Sequence, residues 1–421
     1  MRYSIGINGT RMTLTLRPHQ KRILNSMLAY DKGQVIVPTG GGKTICMIQD
    51  VVENCKYIDN GMTTVVVAPR ILLAEQLCSE FLELIDTTHT HVMHVHSGET
   101  DHYSTTNADN IHVFTNTARA EGENVIIFTT YHSLHRVMEA DIEVDNIYFD
   151  EAHNSVQRNF FPATEYFAEN AYRCYFFTAT PKHSLAASKP GMNWSVYGQV
   201  LCNVPAPELV EQGYILPPKV VVKQLPMIKG RKVMFADDCD NLIETLDNCK
   251  SVDVIDGLID GSSNLKKVLI CARTTKQIIN LLTHSDFCLQ LAERGYSWMT
   301  ITSKTGAIID GKKVNRDVFF DTLNTWGKDK TKKFVVLHHS ILSEGINVSG
   351  LEAVIFMRNM SYIGISQSIG RVIRLGGSEK TFGLVCIPTY DRVGISTAKK
   401  VQAVVDVVFN QGMPAISEIR R

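Results

Sequence analysis

Val37-Pro-Thr-Gly-Gly-Gly-Lys-Thr44 follows the apolar run Val35–Val37 and leads into the helical pattern Thr44–Asn54. A strand, a glycine-rich turn and a helix, in that order, form the setting that a phosphate-binding loop requires. Gly40, Gly41 and Gly42 let backbone N–H groups approach phosphate oxygens with no Cβ in the way, and the helix N-terminus adds its positive end. Lys43 is then placed to neutralise the β- and γ-phosphates of a nucleotide, and the Thr44 hydroxyl to ligate Mg2+. Val37 stands where the common form of this loop has glycine. A glycine turn without a ligand could serve the same junction, and it is the order of the surrounding elements that argues against it.

Outward from the loop, short β-rich runs alternate with helical stretches. Thr64–Ala68, Val125–Thr129, Asn146–Asp150 and Cys174–Thr178 read as buried strands, with helical patterns such as Ile71–Ile85 between them. A second series follows at Lys219–Lys223, Val268–Cys271, Trp298–Ile301, Phe334–Leu337, Ala353–Met357 and Thr381–Ile387, with helical patterns at Lys276–Thr283 and Ile365–Arg374. This rhythm predicts an α/β fold of two tandem domains, each a mostly parallel sheet flanked by helices. Prolines 205, 207, 217 and 218 interrupt the chain between the two series. The expected boundaries are therefore 1–204, a linker 205–217, and 218–421.

Asp150-Glu151-Ala152-His153 ends one of the predicted strands, about 100 residues after the glycine loop. A parallel sheet brings the C-terminal ends of its strands to one edge, so these carboxylates should lie beside the loop. Asp150 would hold Mg2+, directly or through water, while Glu151 would orient and deprotonate an attacking water. Alone, the tetrapeptide could equally open a surface helix; downstream of a phosphate loop it reads as chemistry.

With both motifs present, the chain resembles the superfamily-2 helicases of the DEAH-containing kind over roughly residues 14–390. The resemblance implies RecA-like domains with ATP and Mg2+ bound in the cleft between them. Arg17-Pro-His-Gln20 resembles the adenine-reading motif, with Gln20 as the base contact beside Arg17. Ala68-Pro-Arg70 and Thr129-Thr-Tyr-His-Ser133 resemble motifs that touch nucleic acid, through Arg70 and Thr130. Thr178-Ala-Thr180 resembles the motif that, with His153, couples hydrolysis to movement. In the second half, Val268–Thr274 resembles motif IV, with Arg273 as a phosphate contact. Ser343-Glu-Gly-Ile-Asn347 resembles motif V, with Ser343 on nucleic acid and Asn347 where relatives have an aspartate holding a ribose hydroxyl. Gln367-Ser-Ile-Gly-Arg-Val-Ile-Arg374 resembles motif VI. Gln367, Arg371 and Arg374 are spaced four and three apart, so one helix face should present them together. In the family that face meets the γ-phosphate, where arginine neutralises charge developing in the transition state.

The glycine loop, Leu209–Pro218 and the Ser343–Asn347 motif look most like the restriction-type and phage UvsW-like branch. An ATP hydrolase acting on duplex or branched DNA in recombination, replication or repair is the implied function. An RNA helicase, or a nucleotide-gated clamp or translocase that does not separate strands, stays open beside it. Backbone contacts of this kind predict little sequence specificity.

Lys+Arg and Asp+Glu both number 43, so no global basic field exists and any polyanion must be held by local arrangement. Hydrophobic residues at 44% and charged residues at 20% exclude a disordered chain. The ten cysteines include no pair close enough for a zinc or redox unit, and fit reduced, buried thiols. No run reaches the ~18 apolar residues of a membrane span. A soluble monomer in the cytoplasm, the host's if phage-encoded, is expected. His89–His96 invites a metal reading, but alternating positions on one strand favour a structural role. Lys229–Lys232 and Lys328–Lys333 read as solvated loops. Asp310-Gly311 is a hairpin signature, and a hairpin there could be decorative or serve as a strand-separating pin.

Overall fold

The computed structural model describes residues 3–7, 10–54, 61–85, 87–225, 236–248, 267–302, 304–339, 350–358, 360–376, 380–390, 395–414 and 416–419. The chain divides into two compact units, Met1–Val204 with Ile416–Arg421, and Pro205–Ala415.

Among the described residues of the first unit, eight strands form one sheet in the order Val200–Asn203, Lys32–Ile36, Arg173–Thr178, Asn146–Phe149, Thr63–Ala68, Asn124–Thr130, Thr90–Val95 and Tyr103–Ser104. Every adjacent pair is parallel. The central strands are Val-, Ile- and Phe-rich without alternation. Val65, Val66, Val67, Ile127, Phe149 and Phe176 are all buried, as expected of strands covered on both faces. Because all strands run one way, the loops after Ile36, Ala68, Thr130, Phe149 and Thr178 emerge at one edge.

The second unit repeats the plan in the order Pro218–Leu225, Gly383–Tyr390, Ala353–Phe356, Lys267–Cys271, Phe334–His338, Ser297–Thr302, Gly306–Ile309 and Lys312–Val314. The first six strands are parallel, and the last two add antiparallel. Asp310 and Gly311 both take left-handed backbone angles, φ 43° and 81°, as a two-residue hairpin requires. The hairpin lies in register beside Ser297–Thr302 as the sheet's edge, so it does not stand out as a pin.

The boundaries differ from the expected ones at both ends of the second half. Ala206–Glu211 is a helix with Pro207 in its first turn, where a missing N–H costs nothing. Ile215 then bridges Arg374, so the expected linker is built into the second unit. At the far end, Ser417–Ile419 pairs in parallel with Lys182–Ser184 of the first unit. The chain thus crosses between units twice. Among the described residues, no helix is long and apolar enough to cross a membrane.

Gly61 shows how closely the first sheet is knit. A Cβ there would lie 2.0 Å from the Glu123 carbonyl oxygen, which is held because Met62 and Val125 exchange a ladder bond alongside. Gly61→Ala should therefore destabilise the first unit by about 1–3 kcal/mol. An unchanged thermal midpoint would contradict this packing.

Candidate functional site

The glycine loop sits at the C-terminal end of Lys32–Ile36 and opens the helix Lys43–Asn54. Gly40 and Gly42 have φ of 89° and 79°, angles that glycine adopts without steric cost. Val37 N–H donates to the Thr178 carbonyl at 3.0 Å, and Gly41 N–H to the Pro38 carbonyl at 3.0 Å. Val37, which stands where the common pattern has glycine, is fully buried, so the loop forms without a glycine at its start.

Arg17, His19 and Gln20, at the start of the helix Pro18–Ala29, pack on this loop. The buried His19 Nε2 lies 2.7 Å from the Gly41 carbonyl. Arg17 Nη1 and Gln20 Nε2 reach the Gly40 and Gly42 carbonyls at 3.5 Å. Gln20 Oε1 meanwhile accepts from Arg17 N at 2.8 Å and caps its own helix. His19 is the closest of the three to the loop, and no spacing rule marked it. Its one signal was its place between Arg17 and Gln20.

Asp150 and Glu151 emerge from Asn146–Phe149 beside the loop, as expected. Lys43 Nζ is 2.8 Å from Glu151 Oε1 and 3.8 Å from Asp150 Oδ1. Both carboxylates are buried, at 7% and 8% exposure, so two adjacent acids share one ammonium away from water. Burial raises the Asp150 pKa to about 6, with Glu151 adding to the shift and Lys43 opposing it. Asp150 Oδ1 has no hydrogen-bond partner among the described residues. This buried Asp150 oxygen is a hard ligand, and it fits a Mg2+ ion. Glu151 holds left-handed angles, φ 47° and ψ 50°, which cost a non-glycine residue about 1–2 kcal/mol.

Behind the carboxylates, His153 Nδ1 lies 3.5 Å from Glu151 Oε2 and 3.1 Å from Thr178 Oγ1. Thr180 N–H donates to the same hydroxyl at 3.1 Å, so the three expected coupling residues form one chain of contacts. Tyr131 O–H donates to the Asp150 carbonyl at 2.8 Å, linking the Thr130 loop to the acids. Arg70 caps the helix Ile71–Leu82, and Thr130 lies at the same sheet edge.

In the second unit, Gln367 and Arg371 lie on the helix Tyr362–Val372, both buried. Arg374 lies two residues beyond the end of that helix, whereas the sequence pattern carried the helix to it. The helix ends at Val372, Leu216 N–H donates to the Ile373 carbonyl at 2.7 Å, and Lys380 Nζ donates to the Val372 carbonyl at 2.5 Å. This capture turns the chain before Arg374. Burial holds the pKa of Lys380 down at about 7. His338, whose Nε2 is 3.2 Å from Cys271 Sγ, is pushed to about 3 by burial and by the charges of Arg371 and Arg358. Arg358 thus joins the arginine cluster without belonging to any motif read from the sequence. Arg273 Nη2 is bound to Asp238 at 3.2 and 3.3 Å. Ser343 and Asn347 lie outside the described residues, as does Lys229–Lys232. His94 Nδ1 and His96 Nε2 are 2.9 Å apart and buried, and His94 stacks on Phe128. Among the described residues no cluster of ligands could hold a metal in the manner of a histidine or cysteine site.

Residues 13–183 match the family model described as Type III restriction enzyme, res subunit. Among solved structures, the chain is similar to the ATP-dependent Type ISP restriction-modification enzyme LlaBIII bound to DNA, with a TM-score of 0.73 and 18% identity. That similarity covers 98% of this chain and 32% of the other, so the chain spans about a third of that enzyme's length. A nuclease-deletion mutant of the Type ISP enzyme LlaGI, in complex with a DNA substrate mimic, matches with a TM-score of 0.42 and 22% identity, covering 48% of this chain and 21% of that one. No curated protein matches. The likeness to LlaBIII shows the fold, two tandem RecA-like α/β domains, to be the one expected.

The contact between the loop and the first helix can be read by substitution. A Cβ on Gly42 would lie 2.5 Å from Gln20 Nε2, and its φ of 79° disfavours any side chain. Gly42→Ala should cost about 1–3 kcal/mol of stability, and adding Gln20→Ala should restore part of that by removing the clash. Strict additivity of the two substitutions in thermal melts would contradict the contact.

Proposed function

We propose that this chain is a superfamily-2 motor of the DEAH-containing, restriction-type kind, akin to the phage UvsW-like branch, which hydrolyses ATP to move on duplex or branched DNA. The observation that carries this reading is Lys43 Nζ, 2.8 Å from Glu151 Oε1 and 3.8 Å from Asp150 Oδ1, at the start of a helix preceded by Gly40 and Gly42 in left-handed backbone angles. The res-subunit family match and the fold shared with a DNA-bound restriction enzyme support it, and favour DNA over RNA.

In this reading the amides of Gly40 and Gly42 bind the triphosphate, that of Gly41 joins them by leaving the Pro38 carbonyl, and the Lys43 ammonium moves from carboxylate to phosphate oxygens. Arg17, His19 and Gln20, all against the loop, bound the base side of the site. Thr44 and Asp150 would hold Mg2+, which when bound supplies positive charge against the β- and γ-phosphate oxygens. Glu151 takes a proton from the attacking water as the water oxygen bonds the γ-phosphorus and ADP leaves with the bridging oxygen. Gln367, Arg371 and Arg374 would orient that water and neutralise developing charge. The His153–Thr178–Thr180 contacts report the state of Glu151 to the neighbouring strand. Arg70, Thr130 and Ser343 would hold the nucleic-acid backbone, and Asn347 the ribose. Arg273 would join them through the guanidinium donors that Asp238 does not engage.

Lys43→Ala should lower ATP turnover by about 10²–10³-fold. Glu151→Gln should retain ATP affinity while losing turnover by about 10²–10⁴-fold; normal turnover in either variant would refute the site. Turnover measured without nucleic acid and with single-stranded DNA, forked DNA and RNA should rise most with forked DNA. Best stimulation by RNA would make it an RNA helicase, and no stimulation a nucleotide-gated clamp. Strand displacement on the preferred polymer then separates a helicase from a bare translocase.

A further inference from the structure

Asp50, Tyr148 and Arg173 form a buried polar cluster on the far side of the glycine loop's helix, with 1%, 0% and 7% exposure. Arg173 grips the Asp50 carboxylate with both terminal nitrogens, Nη1 to Oδ2 at 2.9 Å and Nη2 to Oδ1 at 3.0 Å. Tyr148 O–H donates to Asp50 Oδ2 at 2.5 Å. Arg173 Nη2 also donates to the Met27 carbonyl at 3.2 Å, and Nη1 approaches Asn146 Oδ1 at 3.4 Å. Tyr175, whose ring centroid is 5.0 Å from the Arg173 guanidinium carbon, donates its O–H to the Met27 carbonyl at 2.8 Å, with the Tyr30 carbonyl at 2.9 Å.

These residues are far apart in sequence but not arbitrary in position. Asp50 lies on the helix that Lys43 and Thr44 open. Tyr148 lies on the strand that ends before Asp150, and Arg173 on the strand that ends at Thr178. Met27 lies on the helix that begins beside Arg17 and Gln20. One cluster therefore ties together the four elements that carry the proposed nucleotide site, each about two turns or a few residues behind its functional side chain. Burial pushes Arg173 towards losing its proton, and the Asp50 charge more than reverses this. A buried ion pair is often no more stable than an apolar replacement, so stability alone is a weak reason for its presence. What it does uniquely is fix direction and register, because a bidentate guanidinium accepts one geometry.

We infer that Asp50, Tyr148 and Arg173 are positioning residues that set the register of the Lys43 helix against the Asp150–Glu151 strand, and so govern turnover rather than ATP affinity. The inference rests on the proposed ATPase reading. Phosphate binding depends on the loop's own glycines and Lys43. Alignment of Glu151 with the bound phosphates depends on two separate elements, and a shift near 1 Å there can cost about 10²-fold in rate.

The test uses Tyr148→Phe, Asp50→Asn and Arg173→Lys in the full chain, measuring thermal midpoint, Mg·ATP affinity by calorimetry, and turnover at saturating ATP. Folded variants should bind Mg·ATP within about 2-fold of the parent while turnover falls by about 10-fold or more, Arg173→Lys falling further than Tyr148→Phe because it keeps the charge but loses the two-pronged grip on Asp50. Affinity and turnover falling together, or neither changing, would overturn the assignment. Loss of the fold in all three would also overturn it, leaving a purely structural cluster. No turnover in the parent chain would instead refute the ATPase reading itself.

Discussion

One ammonium held between two adjacent buried carboxylates is the constraint on which the first unit is organised. Lys43, Asp150 and Glu151 arrive from a helix start and a strand end separated by more than a hundred residues, and only a parallel sheet can deliver both to one edge. The arrangement is electrostatically costly, since burial raises Asp150 to about 6 against the opposing charge of Lys43. It is also strained, with Glu151 in left-handed angles. Unfavourable features of this kind gather where a protein must receive something, because a ligand can relieve what the fold leaves uncompensated.

Rigidity behind the site balances incompleteness within it. The Asp50–Arg173–Tyr148 cluster is buried and hydrogen-bonded, whereas Asp150 Oδ1 and Thr180 Oγ1 have no hydrogen-bond partner among the described residues. Along the same strands, polar groups therefore pass from satisfied to unsatisfied over a few residues. The contrast separates a part that holds position from a part open to exchange, and a reaction needing alignment within an ångström requires both.

Much of this was legible in the sequence because it is local. Val65-Val66-Val67 and Phe176-Phe177 are apolar without alternation, and strands buried on both faces read that way. The glycine loop could be read from its neighbours, because its backbone geometry is set by the residues in it. The Asp50–Arg173 pair could not, since 123 positions separate the partners and each alone resembles an ordinary surface charge. Ser417–Ile419 was missed because three mostly polar residues carry no periodic signal. Arg374 was placed on a helix by spacing alone, while the turn that removes it comes from Leu216 and Lys380, outside that window. Local pattern revealed the elements; tertiary pairing decided where they stop.

The most direct test of the central claim is a crystal structure with ADP, aluminium fluoride and Mn2+ in place of Mg2+, with the metal located by anomalous scattering. The account predicts one peak about 2.1 Å from the Thr44 hydroxyl, with Asp150 bound to it directly or through water and Lys43 swung from Glu151 to the phosphates. A metal peak remote from both residues, or Lys43 still on Glu151 with nucleotide bound, would contradict it.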